Sequence, residues 1–315
     1  MVDKMSDVVR LISASKSEIT KMSPMELKES IFKSEGRVVM GQHLIFAGPG
    51  LVRGVTNSEL MFAWGADMVM LNTMDLDNDQ NNPGLCGLSL KELKERCNRP
   101  IGVYLGCPKA GYEDGGKKAM YRREGMLATK EHIQKCMDIG ADFIVLGGNP
   151  GSGTSIKDVI ACTKMAREIC GDQMLICAGK WEDGINEKVL GDPLADYDTK
   201  DIIRQLIDAG ADCIDLPAPG SRHGITVEMI RDLVEYVHRY KPGTLTLTFL
   251  NSSVECADPD TIRLIALKMK ETGADIHAIG DGGFAGCSSP KNVYQLSVSL
   301  KGEHYTWFRM ASVNK

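Results

Sequence analysis

The chain of 315 residues is 43% hydrophobic and carries a formal net charge of −5. Its length suits one barrel-sized domain, and its acidic balance gives no basic field that would attract nucleic acid. No stretch approaches the roughly 18 consecutive apolar residues of a membrane span. The charged residues Asp3, Lys4 and Asp7 precede any apolar run, so no secretory signal is expected. A cytoplasmic location is the default expectation.

Two helical segments come first in the chain. Residues 5–15 have an amphipathic pattern. Ser23, Pro24 and Glu26 form a capping box with proline at the first helical position, and they open a helix that is predicted to run to about Ser34. We expect these helices to cover the bottom of the domain.

Eight apolar runs follow, rich in Val, Ile, Leu and Met. They lie near residues 37–41, 67–72, 101–105, 142–147, 173–178, 212–216, 244–250 and 275–280. The runs are nearly continuous, which is typical of strands that are buried on both faces. Helix-start signals lie between them, among them a second capping box at Ser89 and Glu92 and an Asp258-Pro259 pair.

The triplet Gly-Ala-Asp occurs four times, each time between a helix-like segment and an apolar run. The triplets begin at Gly65, Gly140, Gly210 and Gly273, which are 75, 70 and 63 residues apart. That spacing fits two βα units, and the glycine fits a helix C-cap. The predicted fold is therefore α/β: a single (β/α)8 TIM barrel over residues 37–315, with an N-terminal helical extension over residues 1–36.

Loop lengths indicate where a site would lie. The strand-to-helix links near 41–56, 72–88, 106–128 and 179–198 are long. In such barrels these links build the active site at the C-terminal face of the strands. Long, polar, glycine-rich loops on that face alone favour an enzyme. The alternative is a barrel whose long loops have no role in binding or catalysis.

The eighth run ends in a glycine-rich turn that contains Gly280, Asp281, Gly282 and Gly283. In barrel order and in this turn, the chain resembles the phosphate-binding (β/α)8 barrels, which include sugar-phosphate epimerases and aldolases. The resemblance implies that these glycines hold a phosphate, whereas a tight turn that simply needs glycine is the alternative. Because a carboxylate repels phosphate, Asp281 would point away, bind a metal or act as a base.

A second glycine-rich turn follows the fourth run, and its geometry suits an anion. Its candidate ligand-binding residues are Gly148, Asn149, Gly151 and Gly153. A plain loop is the alternative. Above these turns, the third long loop carries five cations that we interpret as a lid, or else as a solvated face: Lys109, Lys117, Lys118, Arg122 and Arg123.

Three further residues are candidates for catalysis. Lys180 ends the fifth run and Asp215 lies within the sixth. We expect both side chains to point into the mouth of the barrel and to lie within ion-pair reach, because each would otherwise leave a charge in an apolar setting. Lys180 could be a Schiff-base nucleophile, a base or a phosphate clamp. His223 follows in the next loop and suits acid–base work. A structural ion pair and a surface histidine are the alternatives.

Other polar residues follow the first, second and seventh runs. Asn251 and Ser252, with Ser253 and Glu255, are candidates for binding substrate hydroxyls. The first two loops add Gln42, His43, Asn72, Asp75, Asp77 and Asp79. The three aspartates could offer oxygen ligands to Mg²⁺ or Ca²⁺, but they lack the glycine and distal glutamate of a calcium-binding loop, and solvated loop acids are the favoured explanation.

The ten cysteines are scattered, without a Cys-x-x-Cys pair or a Cys/His cluster at metal-finger spacing. They are predicted to be free thiols that pack as small hydrophobes. Cys107, Cys256 and Cys287 follow predicted strands and could face the site, but no adjacent base is implied.

These features predict a cytosolic enzyme that acts on a small phosphorylated metabolite by acid–base isomerisation or epimerisation, or by aldol-type carbon–carbon cleavage. A metal-dependent hydrolase or lyase, or a ligand-binding barrel without turnover, is the alternative. Mg²⁺ is the cofactor that the acidic loop would suit, and FMN is not expected. The expected partner is the metabolite, with neither nucleic acid nor membrane; a homo-oligomer is left open.

Overall fold

Eight parallel strands form a closed barrel in chain order, with the first strand hydrogen-bonded to the last. The computed structural model describes residues 7–108, 123–148, 152–181, 187–282 and 286–311. The strands are β1 (Val38–Leu44), β2 (Met68–Asn72), β3 (Ile101–Gly106), β4 (Phe143–Gly147), β5 (Leu175–Gly179), β6 (Cys213–Pro217), β7 (Leu245–Leu250) and β8 (Ile276–Ile279). The predicted (β/α)8 barrel is confirmed, and the even strands begin directly after the Gly-Ala-Asp triplets.

The helices surround the barrel and cover its lower end. They are α1 (Lys16–Ile19), α2 (Pro24–Phe32), α3 (Asn57–Ala63), α4 (Leu90–Cys97), α5 (Lys130–Asp138), α6 (Ile156–Cys170), α7 (Thr199–Asp208), α8 (Val227–Tyr240), α9 (Pro259–Glu271) and α10 (Pro290–Ala311). The capping boxes at Ser23 and Ser89 and the Asp258 cap form as predicted. No helix within the described ranges is both long enough and apolar enough to cross a membrane.

The core has two layers because neighbouring strand residues point to opposite faces. Within β6, Cys213 belongs to the cluster inside the barrel, whereas Ile214 and Leu216 belong to the cluster between strands and helices. Every residue of every strand is buried, which explains the continuous apolar runs.

Each Gly-Ala-Asp triplet plays the same structural role. The glycine has a positive φ, from 78° at Gly273 to 107° at Gly210, which costs glycine little. The aspartate side chain then accepts a hydrogen bond from the backbone N–H near the start of the preceding odd strand. The four pairs are Asp67–Val39 (2.9 Å), Asp142–Ile101 (2.8 Å), Asp212–Ile176 (3.1 Å) and Asp275–Thr246 (2.7 Å). The repeat therefore joins odd and even strands at the bottom of the barrel.

The same four aspartates also pair with basic side chains from the surrounding helices. The pairs are Asp67 with Lys301 and Arg309, Asp142 with Lys94, Asp212 with Lys28 and Arg167, and Asp275 with His238. Each triplet thus connects the strands to the helical layer.

The predicted helix over residues 5–15 is wrong for its described part, where a short 3-10 turn, Leu11–Ser13, is the only helical element before α1. Ser15 instead caps α1 in a capping box. Leu11 and Ile12 are fully buried within the barrel-interior cluster, and Arg309 donates to the Leu11 carbonyl. Tertiary contacts therefore fix this segment in place of helical hydrogen bonds. The division into an extension (1–36) and a barrel domain (37–315) stays a prediction.

Candidate active site

An inward-facing polar side chain near the end of the first strand contacts a carboxylate that follows the last strand. Gln42 of β1 shares the inner face with Val38 and Met40, and its Nε2 donates to Asp281 Oδ2 at 2.6 Å. Gln42 is only 3% exposed. The contact holds the Asp281 carboxylate above the interior of the barrel, at the C-terminal face of the strands.

A second carboxylate, that of Glu255, lies at the turn after β8. Its Oε1 accepts the Gly282 N–H at 3.0 Å. Its Oε2 lies 1.7 Å from where a Cβ on Gly280 would stand. Gly280 is therefore required to be glycine because the Glu255 carboxylate fills the space beside it.

This contact changes the interpretation of the predicted phosphate turn. The Gly282 amide donates to Glu255, and the Gly280 amide donates to the Leu250 carbonyl at 2.8 Å. Gly282 has φ of 67°, and a Cβ there would lie 2.3 Å from the Cys287 carbonyl oxygen. The described part of the turn thus uses its glycines for close packing and binds a carboxylate of its own chain, while Gly283 lies outside the described residues.

The described residues of the turn after β4 are also engaged by the protein itself. A Cβ on Gly148 would lie 2.4 Å from Thr154, whose Oγ1 donates to the Cys107 carbonyl at 2.7 Å. The Ile156 amide at the start of α6 donates to Glu187 at 2.7 Å. Gly153 is exposed with φ of 73°. Asn149 and Gly151 lie outside the described residues, as do the lid cations Lys109, Lys117, Lys118 and Arg122.

Three aromatic rings lie beneath the mouth. Trp181 stacks on Phe249 with ring centroids 5.5 Å apart, and it meets Tyr104 edge-on at 6.1 Å. Trp181 is 2% exposed, and its indole N–H has no hydrogen-bond partner among the described residues. Neither Trp181 nor Tyr104 was among the residues predicted for the site. Strand alternation could have found Trp181, because it lies two residues after Gly179, an inner-face position of β5.

A further unsatisfied polar atom and two strained residues lie at the same face. Asn72, the last residue of β2, is 3% exposed, and its Oδ1 lacks a hydrogen-bond partner in the described chain. The next residue, Thr73, has φ of 60°, and Ser252, after β7, has φ of 79°. Positive φ is costly for such residues and is concentrated at functional sites. The mouth therefore combines unused hydrogen-bonding capacity with local backbone strain.

Asp215 lies deeper than the mouth, on the inner face of β6. It is fully buried, and burial raises the pKa of its carboxyl to about 8. Apart from the neighbouring Cys213 thiol, neither carboxyl oxygen has a hydrogen-bond partner in the described chain, so the predicted ion pair with Lys180 is wrong. Lys180 is one residue past Gly179, the register partner of Asp215. Because successive residues of a strand alternate in direction, the Lys180 side chain points away from the barrel interior that Asp215 faces. The prediction of an ion pair had not taken this alternation into account. The catalytic roles of both residues stay predictions.

The loops after β6 and β7 meet through side chains. Arg222 donates to Asn251 Oδ1 at 3.2 Å, and Ser252 Oγ donates to the Ser221 carbonyl at 2.9 Å. Asn251 is thus held at the mouth by its neighbouring loop, whereas His223 is exposed. Roles for these residues in binding or catalysis remain predictions.

The acidic second loop is occupied by structural contacts. Asp75 is 3% exposed and accepts hydrogen bonds from the Asp77 and Asn78 amides and from the Asn81 side chain. Asp77 pairs with Lys135, whose hydrogen bond lowers the pKa of the Asp77 carboxyl. These contacts shape the loop, so they do not favour the Mg²⁺ site that the aspartates could have offered.

The surroundings of His43 and of the three candidate cysteines do not favour a catalytic role. His43 belongs to β1, faces Ser58 at 2.8 Å, and is buried, which lowers its pKa to about 3. Burial raises the pKa of Cys287 to about 12 and also raises that of Cys256, so the reactive thiolate is disfavoured at both. Cys107 is fully buried.

Solved structures with similar folds are distant in sequence. The carboxyl transferase domain from Rhizobium etli pyruvate carboxylase aligns with a TM-score of 0.56 and 12% identity over 98% of this chain and 54% of that one. An archaeal fructose 1,6-bisphosphate aldolase aligns with a TM-score of 0.55 and 13% identity over 89% of this chain and 99% of that one.

These likenesses show the fold alone. This chain spans 30% to 54% of the pyruvate carboxylase chains that it matches first. No curated protein matches the sequence. A family model described as "Domain of unknown function (DUF7916)" matches residues 12–315, and the chain therefore belongs to that family.

Proposed function

We propose that the protein is an enzyme of the lyase type that moves a proton next to a carbonyl group of a small metabolite, with Asp281 as the base. The observation that carries the proposal is the 2.6 Å hydrogen bond from Gln42 Nε2 to Asp281 Oδ2. A general base must be held within hydrogen-bond reach of the proton that it removes. Gln42 fixes this carboxylate on the face where barrel enzymes bind their substrates.

Several groups at the same end of the barrel as Asp281 suit a small polar ligand. The aromatic rings of Trp181, Phe249 and Tyr104 close the barrel below the mouth. The Trp181 indole N–H offers a donor and Asn72 Oδ1 offers an acceptor, both without partners among the described residues. Ligand sites commonly combine apolar walls with a few such polar atoms.

The reaction type draws support from the names of the structural neighbours. One is an archaeal fructose 1,6-bisphosphate aldolase, and another, with a TM-score of 0.56, is a carboxyl transferase domain with pyruvate and biocytin. Isomerisation and epimerisation begin when a base removes a proton next to a carbonyl group. Aldol-type cleavage breaks a carbon–carbon bond when a base takes the proton of the β-hydroxyl group, and the enolate that remains takes up a proton next to its carbonyl group. A fixed carboxylate serves as the base in each of these reactions. We place aldol-type cleavage first, with isomerisation or epimerisation as the alternative outcome.

We propose a phosphorylated metabolite as the substrate. The Gly282 amide donates its hydrogen bond to Glu255 and is therefore not available to a phosphate. We propose that the third long loop binds the phosphate with its positive charges. Lys109, Lys117 and Lys118 in that loop supply these charges. Lysine binds phosphate as a point charge, and such binding weakens as salt screens it.

The test is a search for cleavage products. Phosphorylated and unphosphorylated hydroxy-carbonyl compounds are incubated with the protein, and the products are identified by mass spectrometry. We expect a phosphorylated compound to be cleaved, and Asp281→Asn to lower the rate by about 10²-fold or more, as loss of a general base does. Asp260→Asn, whose side chain is 89% exposed on α9, is the matched control and should keep full activity.

An Asp281→Asn variant as active as the native chain would overturn the proposal. If borohydride then also trapped an adduct on Lys180, the chemistry would move to the lysine.

A further inference from the structure

We propose that the interior of the barrel holds one thiophilic divalent cation of the Zn²⁺ class, bound by the thiolates of Cys177 and Cys213 and the carboxylate of Asp215. The site lies between β5 and β6, below the mouth, and is separate from the carboxylates of Asp281 and Glu255. It would be a structural site that ties the two strands together, independent of the proposed function.

The strand register brings the three side chains together. Cys177 and Cys213 are register partners on neighbouring parallel strands, and both belong to the cluster inside the barrel. Asp215 follows Cys213 by two residues and therefore shares its inner face. The ligand atoms of all three lie within 4.8 Å of one another. Zinc binds sulfur at about 2.3 Å and oxygen at about 2.0–2.2 Å, so small side-chain adjustments bring all three onto one ion.

The Asp215 carboxyl is the second observation that points to a ligand. It is fully buried, and apart from the neighbouring Cys213 thiol, whose contact lowers the pKa of the carboxyl against the effect of burial, neither of its oxygens has a hydrogen-bond partner in the described chain. A buried carboxyl without a partner is costly, and buried charges are normally paired or coordinate a metal. A cation between Asp215 and the two thiols supplies the missing partner.

The donor set indicates the class of ion. Two thiolates select zinc and other thiophilic metals over Mg²⁺ or Ca²⁺, which prefer oxygen ligands. Three protein ligands leave one position of a tetrahedral ion for water or another donor. Among the described residues, this is the one group of three or more His, Cys, Asp or Glu side chains with ligand atoms this close.

The aromatic rings place the ion away from the substrate. Leu247 of β7 is the register partner of Asp215, and Phe249 lies two residues nearer the mouth, where it stacks on Trp181. Because these rings are interposed, the ion would enter during folding and remain buried. Its expected role is stability.

The test loads the full chain with metal during refolding. The protein is unfolded with a chelator, refolded with Zn²⁺ or Co²⁺, freed of excess ion and measured for bound metal and for cobalt–thiolate absorption. We expect one ion per chain and a thiolate band that Cys213→Ser abolishes. Cys162→Ser is the control, because Cys162 is a buried thiol of the outer layer and its loss should leave the band intact. Asp215→Asn should weaken zinc binding at least tenfold.

Results on the native chain alone can overturn the site, even if a variant fails to fold. A native chain that refolds with less than a tenth of an ion bound, or whose melting temperature is the same with zinc as with chelator, contradicts it. For a Cys213→Ser variant that folds, a cobalt–thiolate band of unchanged intensity would also contradict the site.

Discussion

Asp67 is the most enclosed of the four triplet aspartates. Its side chain and those of Lys301 and Arg309 are all 0% exposed. Asp142, at the same place in the next repeat, pairs with Lys94 at 2.9 Å, and their side chains are 27% and 28% exposed. The same sequence signal thus gives a buried three-residue charge cluster at one repeat and a partly solvated pair at another.

We therefore expect Asp67→Asn to lower the free energy of unfolding by about 3–5 kcal/mol, because it leaves buried cations without their counter-charge. The matched Asp142→Asn change should cost about 1 kcal/mol or less, because water reaches that pair. Asparagine can still accept the strand N–H in both variants, so the comparison isolates the ion pairs. Denaturant unfolding checks this, and equal losses for the two variants would contradict it.

His277 gives the fold a sensitivity to acid. It is fully buried, with Nδ1 2.8 Å from Thr248 and Nε2 3.2 Å from the Gly36 carbonyl. Burial lowers its pKa from 6.5 to about 4. Between these two values the unfolded chain binds a proton that the folded chain does not, so stability falls as pH decreases.

We expect this histidine to remove up to about 3 kcal/mol of stability between pH 6.5 and pH 4, because its pKa differs between the folded and the unfolded chain over that range. His277→Gln should therefore show a smaller decrease in unfolding free energy over that range than the native chain. His223→Gln, at an exposed position, is the control and should follow the native slope. Identical slopes for all three proteins would refute the assignment to His277.

At the level of elements, the turn after β8 is built around the carboxylate of Glu255. The absence of a side chain on Gly280 leaves the space that this carboxylate fills, and the Gly282 amide binds it. The turn therefore positions Asp281, its middle residue, toward Gln42. Glu255 acts as a positioning residue in this account.

A double-mutant cycle tests that packing. Gly280→Ala should lower the free energy of unfolding by about 2 kcal/mol, because the added methyl group overlaps Glu255. In a Glu255→Ala background the same change should cost less than half as much, which gives a coupling energy of about 1 kcal/mol or more. Additive losses in urea unfolding would show that Glu255 does not fill the space beside Gly280.

The barrel fold could be predicted from the sequence because the features that indicate it are local and occur several times along the chain. Buried parallel strands give continuous apolar runs, and each Gly-Ala-Asp triplet ends a helix and begins a strand. The site followed only in part. Glycine-rich turns predicted an anion site, but glycine suits both a bound phosphate and close packing against Glu255, and sequence does not distinguish them. The Lys180–Asp215 pair failed because adjacent strand positions alternate, so a shift of one residue reverses the face.

At the level of the whole molecule, the paired charges and the candidate site lie at opposite ends of the barrel. The triplet aspartates, the N-terminal segment and α10 (Pro290–Ala311) meet at the bottom of the strands. The unsatisfied polar atoms Asn72 Oδ1 and Trp181 Nε1, together with the Gln42–Asp281 contact, lie at the top. Variants at the bottom should change stability with little effect on turnover, as expected of this fold.

The central claim is that Asp281 is a base that removes a proton next to a carbonyl group. The most direct measurement is solvent exchange: small phosphorylated carbonyl compounds are incubated with the protein in deuterated water, and loss of the C–H signal is followed by NMR. We predict enzyme-dependent exchange next to the carbonyl, with the rate lowered about 10²-fold or more by Asp281→Asn and unchanged by Asp260→Asn. Exchange that persists at the native rate in Asp281→Asn, or is absent for every compound with the native chain, would contradict the claim.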